Sequence, residues 1–247
     1  MTVWFASGNV HKKRELAAIL NANSSAHGGV PESGYNLLIP ADAGLDFDPE
    51  ETGASFYENA LLKARELYSL LEQRRPPLFK NGDPVIADDS GICVDALDGR
   101  PGIFSARYAG RSPEESLTEG TANLRFGHGE RGGIKKCLNP QKLESSERNA
   151  LLLEELGGNP LRTARFVCAM ALMFSPDRFF IAQETLEGEI VKNLEAARGT
   201  GGFGYDPILY IPGSGRTVAE LSEEEKNTLS HRAKAGKIIA AILEAYS

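Results

Sequence analysis

An α/β fold follows from three observations. Short apolar runs alternate with segments of helical periodicity, one of those segments opens with a capping box, and an apolar strand runs straight into Asp88-Asp89-Ser90-Gly91. Strands that alternate with helical stretches of this kind build a sheet with helices packed on its faces. Residues 2–6 read as a first strand, Ser7-Gly8-Asn9 as a turn, and Leu16, Ile19 and Leu20 as the apolar face of a first helix. Ser55 with Glu58 forms the capping box, and Phe56, Ala60, Ala64, Leu67 and Leu71 follow on one helical face. The other side of that helix reads as polar, with Asn59 and Lys63 four residues apart. Strands are expected at 166–174, 179–186 and 207–211. Ser222 caps a short helix, and Ser230 begins a last one whose apolar face reads as Ile238, Ile239, Ile242 and Tyr246. Residues 23–36 and 127–146, rich in Gly, Ser, Asn and charge, read as inserts in one domain spanning 1–247.

Composition excludes several classes. The 247 residues are 41% hydrophobic and 25% charged, enough for a full core. A net charge of −7 disfavours a nucleic-acid partner. No apolar run approaches the roughly 20 residues that cross a bilayer, and the start of the chain lacks the basic segment and long apolar core of a signal peptide. No membrane partner is expected, and the cytoplasm is the expected compartment. Cys93, Cys137 and Cys168 are odd in number and widely spaced, so they read as buried thiols.

The chemistry concentrates in a few polar clusters. A strand ending in Asp88-Asp89-Ser90 sets carboxylates at the carboxyl edge of a sheet, where open α/β sheets bind ligands, and Gly91 would let the backbone reverse. Adjacent carboxylates repel, and a metal ion with hard oxygen ligands relieves the repulsion. Ser7-Gly8-Asn9-Val10-His11-Lys12 lies between strand and helix: it is either a phosphate-binding turn or a plain turn followed by solvated cations. The glycines of 199–204 match a dinucleotide fingerprint, but Tyr205-Asp206-Pro207 follows where a helix should, so a dinucleotide site is rejected. What remains is a loop presenting Phe203, Gly204, Tyr205 and Asp206, suited to stacking on a purine. Lys226, His231 and Arg232 are either solvated helix-end charges or donors to a base. Glu51 precedes the capped helix in a turn.

Taken in order, Ser7-Gly8-Asn9 with Lys12, Glu51-Thr52-Gly53 with Phe56, Glu58-Asn59-Ala60 and Lys63, Asp88-Asp89-Ser90-Gly91, Gly99-Arg100-Pro101-Gly102 with Ser105 and Arg107-Tyr108, Gly202-Phe203-Gly204-Tyr205-Asp206-Pro207, and Glu225-Lys226 with Ser230-His231-Arg232 resemble the inosine triphosphate pyrophosphatase family. The resemblance implies an elongated, two-lobed fold around a central mixed β-sheet flanked by helices, with the nucleotide in the cleft, usually as a homodimer. It implies Mg²⁺-dependent hydrolysis of inosine, deoxyinosine and xanthosine triphosphates to monophosphate and pyrophosphate. By position, residues 7–12 and Lys63 would hold the triphosphate. Glu51 and Asp89, with Asp88 beside them, would bind magnesium; Asp89 would activate water and Ser90 touch substrate. Phe203, Gly204, Tyr205, Asp206, Lys226, His231 and Arg232 would cradle the base. The insert at 127–146 has no counterpart in a typical member. A Maf-like nucleotide pyrophosphatase, a non-catalytic nucleotide-binding module and an interaction protein docking through that insert are the alternatives. A silent module ought to lack intact Asp88, Asp89 and Glu51, which are present.

Overall fold

The computed structural model describes residues 1–24, 34–109 and 143–246. Seven strands form one mixed sheet in the order β2-β1-β3-β4-β5-β6-β7. They are β1 (Thr2–Phe5), β2 (Asn36–Leu38), β3 (Val85–Val94), β4 (Thr163–Ser175), β5 (Arg178–Ile190), β6 (Leu209–Ile211) and β7 (Arg216–Thr217). β1 pairs in parallel with β2 and β3, and every later pairing is antiparallel. The helices are α1 (Val10–Ser24), α2 (Phe56–Arg74), α3 (Ser145–Leu156), α4 (Glu223–Leu229) and α5 (His231–Ala245).

Burial divides along the sheet. On one face α1 and α5 cover Val3, Phe5, Ile86 and Met170. On the other, α2 covers Trp4, Val85, Ala87 and Ala171. Farther along, α3 lies over Ile92, Phe166 and Ile208. An α/β fold with helices flanking a mixed sheet is therefore what the chain adopts. Cys168 is buried, and that burial, with Asp88 nearby, pushes its thiol up to about 12. It is an inert core residue.

Several local expectations are corrected. β3 does not reverse at Gly91: it runs on to Val94, because β4 pairs with it through Asp88↔Met170 and Gly91↔Val167. The hairpin β4–β5 likewise extends beyond both expected strands, whereas Pro207, which has no N–H to give a ladder, stays outside β6. In α2, Ser55 Oγ accepts from Glu58 N–H as expected, but Glu58 returns its bond to Ala54 N–H and not to Ser55. The polar side of α2 is not solvated either: Asn59 is 0% and Lys63 7% exposed.

The last helix buries Ile239 and packs Ile242 on the core as expected, but adds Ala235 and Leu243 to that face and leaves Ile238 out. Ala235, Ile239 and Leu243 are buried, Ile238 is 42% exposed and Tyr246 lies at the rim. Small residues decide this, since a Cβ on Gly236 would come within 2.8 Å of Ile19 Cγ2 on α1. Of the first insert, α1 reaches Ser24 and β2 begins at Asn36, leaving 25–33 outside the described residues. Of the second, residues 127–142 lie outside them, and Ser145 and Ser146 instead open α3. That helix was missed, although Glu144 N–H bonds Glu147 Oε2 at 2.8 Å across its first turn.

Candidate active site on the two faces of strand β3

β3 outruns its parallel neighbour. The register of β1 on β3 ends at Phe5↔Ile86, after which the chain turns through Ser7 into α1. Asp88 and Asp89 thus stand just past the carboxyl end of the parallel strands, where open sheets take ligands. Because side chains alternate along a strand, the two carboxylates point to opposite faces.

Asp89 faces α2. Lys63 Nζ reaches Asp89 Oδ1 at 3.3 Å and Glu51 Oε1 at 3.0 Å, so two carboxylates converge on one ammonium. Asn59 Nδ2 donates to Asp89 Oδ2 at 3.2 Å, while Asn59 Oδ1 accepts from Gly53 N–H at 2.8 Å. That pair of bonds fixes the amide's orientation and ties the turn carrying Glu51 to the helix. Arg107 Nη2 caps the other Glu51 oxygen, Oε2, at 3.2 Å. Burial raises the pKa of Asp89, and Glu51 adds to it, against the pull of Lys63. For Lys63, burial opposes the charge, but Asp89, Asp88 and Glu51 outweigh it and raise its pKa. The outcome is a carboxylate with a raised pKa beside an ammonium whose charged form the carboxylates favour.

Asp88 faces α1 and α5. Lys12 Nζ lies 2.9 Å from Asp88 Oδ2, and Arg232 reaches the same oxygen through Nε (3.3 Å) and Nη2 (3.1 Å). Arg232 also donates to Glu15 Oε2 at 2.6 Å and Ser90 Oγ at 3.0 Å, and it is 2% exposed. Burial alone would raise the Asp88 carboxyl, but Lys12, Arg232 and Lys63 hold it well below the usual range. The pleat sends Asp88 to the face away from Glu51 and Asp89, where Lys12 and Arg232 answer its charge. The Arg232 fork donates to Asp88, Glu15 and Ser90.

Beside this network lies the loop before β6. Lys226 Nζ pairs with Asp206 Oδ2 at 2.8 Å, and Phe203 N–H donates to the same oxygen at 2.9 Å. Phe203 is exposed, with Lys226 Nζ 5.7 Å and Arg232 Cζ 5.6 Å from its ring centroid, a platform with a cationic rim. Gly202 and Gly204 both have positive φ, and a Cβ on Gly202 would fall 1.9 Å from Asp206 Oδ2. Tyr205 departs from expectation: it is a core residue whose hydroxyl donates to Ser105 O at 2.9 Å. His231 stacks on Phe166 at 5.0 Å, and its buried Nδ1 has no partner among the described residues. Burial and the neighbouring Arg232 keep this imidazole neutral.

The turn before α1 is self-capped. Ser7 Oγ accepts from Asn9 N–H at 3.1 Å, and Asn9 Oδ1 accepts from His11 and Lys12 N–H at 2.9 and 3.2 Å. Gly8, Val10 and His11 are exposed at the helix end. Lys12 joins this turn to β3, so residues 7–12, 88, 90, 203, 206, 226 and 232 form one connected set of contacts, and residues 51, 63 and 89 a second on the opposite face of the strand. Three further residues touch these sets without having been given a role in the sequence. Asn59 had a signal in its spacing from Lys63, and Arg107 stood in a motif of the resemblance; Glu15 had none, since its partner lies far away along the chain.

A model described as the Ham1 family matches residues 3–138 and 128–242. A dITP/XTP pyrophosphatase of Treponema denticola is 40% identical over 235 residues, 95% of this chain and 94% of that protein. One from Thermus thermophilus is 40% identical over 250 residues, 100% of this chain and 92% of its own. Among solved structures, the Ham1 protein of Staphylococcus aureus superimposes with a TM-score of 0.70 at 31% identity, covering 100% of both chains.

Proposed function

The chain belongs to the Ham1 family, and from that membership and the site on β3 we propose that it hydrolyses the triphosphates of inosine, deoxyinosine and xanthosine to the monophosphate and pyrophosphate. Relatives at 40% identity over nearly their whole length carry the name dITP/XTP pyrophosphatase. The observation that carries the reading is the convergence of Glu51 and Asp89 on Lys63 at 3.0 and 3.3 Å, past the end of the parallel strands.

Magnesium fits that pair. The ion is commonly held by one or two carboxylates plus substrate phosphates, so a larger cluster, absent among the described residues, is not required. Glu51 and Asp89 would hold it; when bound it supplies charge neutralisation and a more acidic water. Asp89, its proton affinity raised by burial, orients the water and takes its proton. Lys63 and Lys12 draw in the triphosphate, and the Ser7–Lys12 turn offers exposed donors at a helix start. Asn59 steadies Asp89, and Ser90 steadies Arg232. At the other end Phe203 stacks on the purine, while Lys226, Asp206 and the unpartnered Nδ1 of His231 supply polar contacts for its edge. Arg232 acts behind that surface by holding Asp88 and Glu15.

The whole chain serves as one catalytic domain, acting as a homodimer on free nucleotides in the cytoplasm. Support for this is the resemblance to the family, together with the absence, among the described residues, of any helix long and apolar enough to cross a membrane. The test is pyrophosphate release from inosine, deoxyinosine, xanthosine, guanosine and adenosine triphosphates with and without magnesium. Release confined to the first three, and lost on chelation, is expected. Equal release from adenosine triphosphate would overturn the substrate assignment.

A further inference from the structure

The segment 99–108 takes no part in the chemistry above, yet it is fastened to β3 more firmly than a connection requires. Its 3₁₀ turn, Gly102–Arg107, is pinned by Ser105, whose Oγ accepts from Ile92 N–H at 2.8 Å and bonds Gly102 O at 2.6 Å. Tyr205 holds the Ser105 carbonyl from beneath at 2.9 Å. A Cβ on Gly91 would sit 2.4 Å from both Gly102 O and Ser105 Oγ, so a glycine two residues past Asp89 is what admits the turn. The anchored turn delivers Arg107 onto Glu51 at 3.2 Å.

Arg107 is placed as a ligand-binding residue would be. Its side chain is 54% exposed, and among the described residues its remaining guanidinium N–H groups have no partner. Glu51 is a weak reason to keep it, since an exposed ion pair contributes little. Contacts fall into two groups, Phe203, Arg232 and Asp88 on one face of β3 and Asp89, Lys63, Glu51 and Arg107 on the other. With the water at Asp89, the cations Lys63 and Arg107 on that same face flank Glu51 and can take the phosphates released there.

We infer that Arg107 is a further substrate-binding residue, taking the diphosphate that leaves. The assignment rests on the pyrophosphatase reading. In the step, the water oxygen bonds to the α-phosphorus, its proton passes to Asp89, and the bond from that phosphorus to the bridging oxygen breaks with its electron pair going to the diphosphate. Charge therefore grows on the leaving group, and a planar guanidinium with several free donors matches phosphate oxygens in pairs.

Calorimetric titration of wild type, Arg107→Ala and Arg107→Lys with inorganic pyrophosphate and, separately, inosine monophosphate, both in magnesium, tests it. Arg107→Ala should weaken pyrophosphate binding about 10-fold, the loss of one charge-assisted contact, with Arg107→Lys recovering part of it. Inosine monophosphate should change less than about 2-fold, since that product lacks the leaving phosphates. The variant should melt like wild type, as Arg107 is exposed. Unchanged pyrophosphate affinity, or equal losses for both ligands, overturns the inference. Should wild type release no pyrophosphate from inosine triphosphate, the pyrophosphatase reading itself falls; should it do so while Arg107→Ala binds pyrophosphate normally, only the role of Arg107 falls.

Discussion

Asp88 and Asp89 are neighbours in sequence, both buried and built into the same strand, yet they live in opposite electrostatic worlds. Asp88 faces a lysine and an arginine, the arginine shared with Glu15, and is held ionised well below the ordinary carboxylate range. Asp89 shares one lysine with Glu51, leans on a neutral amide, and has its pKa raised. The pleat alone separates them. A carboxylate whose charge is fully answered is a structural pin, whereas one whose charge is answered in part can exchange a proton or a cation. On the function proposed above, the Asp88 carboxylate serves the fold and the Asp89 carboxylate the reaction.

The strongest way to break that division is at the pin. Asp88→Asn leaves Arg232, 2% exposed, and Lys12 short of a counter-charge, and removing one partner of a buried ion pair costs about 3–5 kcal/mol. Urea unfolding measures it; a loss below about 1 kcal/mol would mean the Asp88 face adds no more than a surface pair does. Asp89→Asn should show the reverse pattern. Turnover falls roughly 10²-fold, about 2.7 kcal/mol of barrier, while the unfolding free energy stays within about 1 kcal/mol of wild type. Large instability with normal turnover would exchange the roles of the two aspartates.

Lys63 sharpens the comparison because it belongs to both accounts. Lys63→Met keeps the stem but leaves Asp89 and Glu51 facing each other, so binding of a non-hydrolysable inosine triphosphate analogue should weaken by about 1–3 kcal/mol. Stability should fall by a comparable amount, since this lysine is buried rather than solvated. Loss of binding without loss of stability would show that the carboxylates spread apart when the ammonium is gone.

What the sequence made legible was local. Ser55, Ser222 and Ser230 mark helix starts because a hydroxyl cap needs only residues three positions away. The Asp-Asp pair stood out as a site for the same reason. Its division did not, because it depends on β3 continuing past Gly91, and that is decided by pairing with β4 some eighty residues later. Tyr205 looked like a base-stacking residue beside Phe203; the 3₁₀ turn that claims its hydroxyl comes from 100 residues earlier. The Arg232–Glu15 pair spans 217 residues, and no local pattern encodes it. Periodicity in the last helix chose Ile238 over Ala235 because it ranks residues by hydrophobicity, whereas the α1 contact selects for smallness.

His231 tests how far the division reaches, because its ring lies between the two accounts. Burial and Arg232 push its pKa well below 6.5; Lys226 and Lys12 act in the same sense, and Asp88 opposes them. An unfolded chain takes up this proton near pH 6.5, while the folded chain refuses it until well below. Stability must then fall as pH drops from 6.5, with a slope of at most about 1.4 kcal/mol per pH unit from this group. Asp89 and Asp206 work against that slope in the acidic part of the window, because their raised pKa values let the folded state bind protons first. Asp88 adds nothing until pH falls below 3.8, the value its unfolded carboxyl has. The wild-type profile is thus a net of opposing terms, and the difference between wild type and His231→Phe isolates the imidazole. Unfolding curves of both proteins from pH 7 to 5 should diverge steadily, the variant losing less on acidification. Parallel curves would mean that the imidazole takes its proton in the fold as easily as in water, and that the cations gathered on the Asp88 face do not act on the base-stacking end of the site.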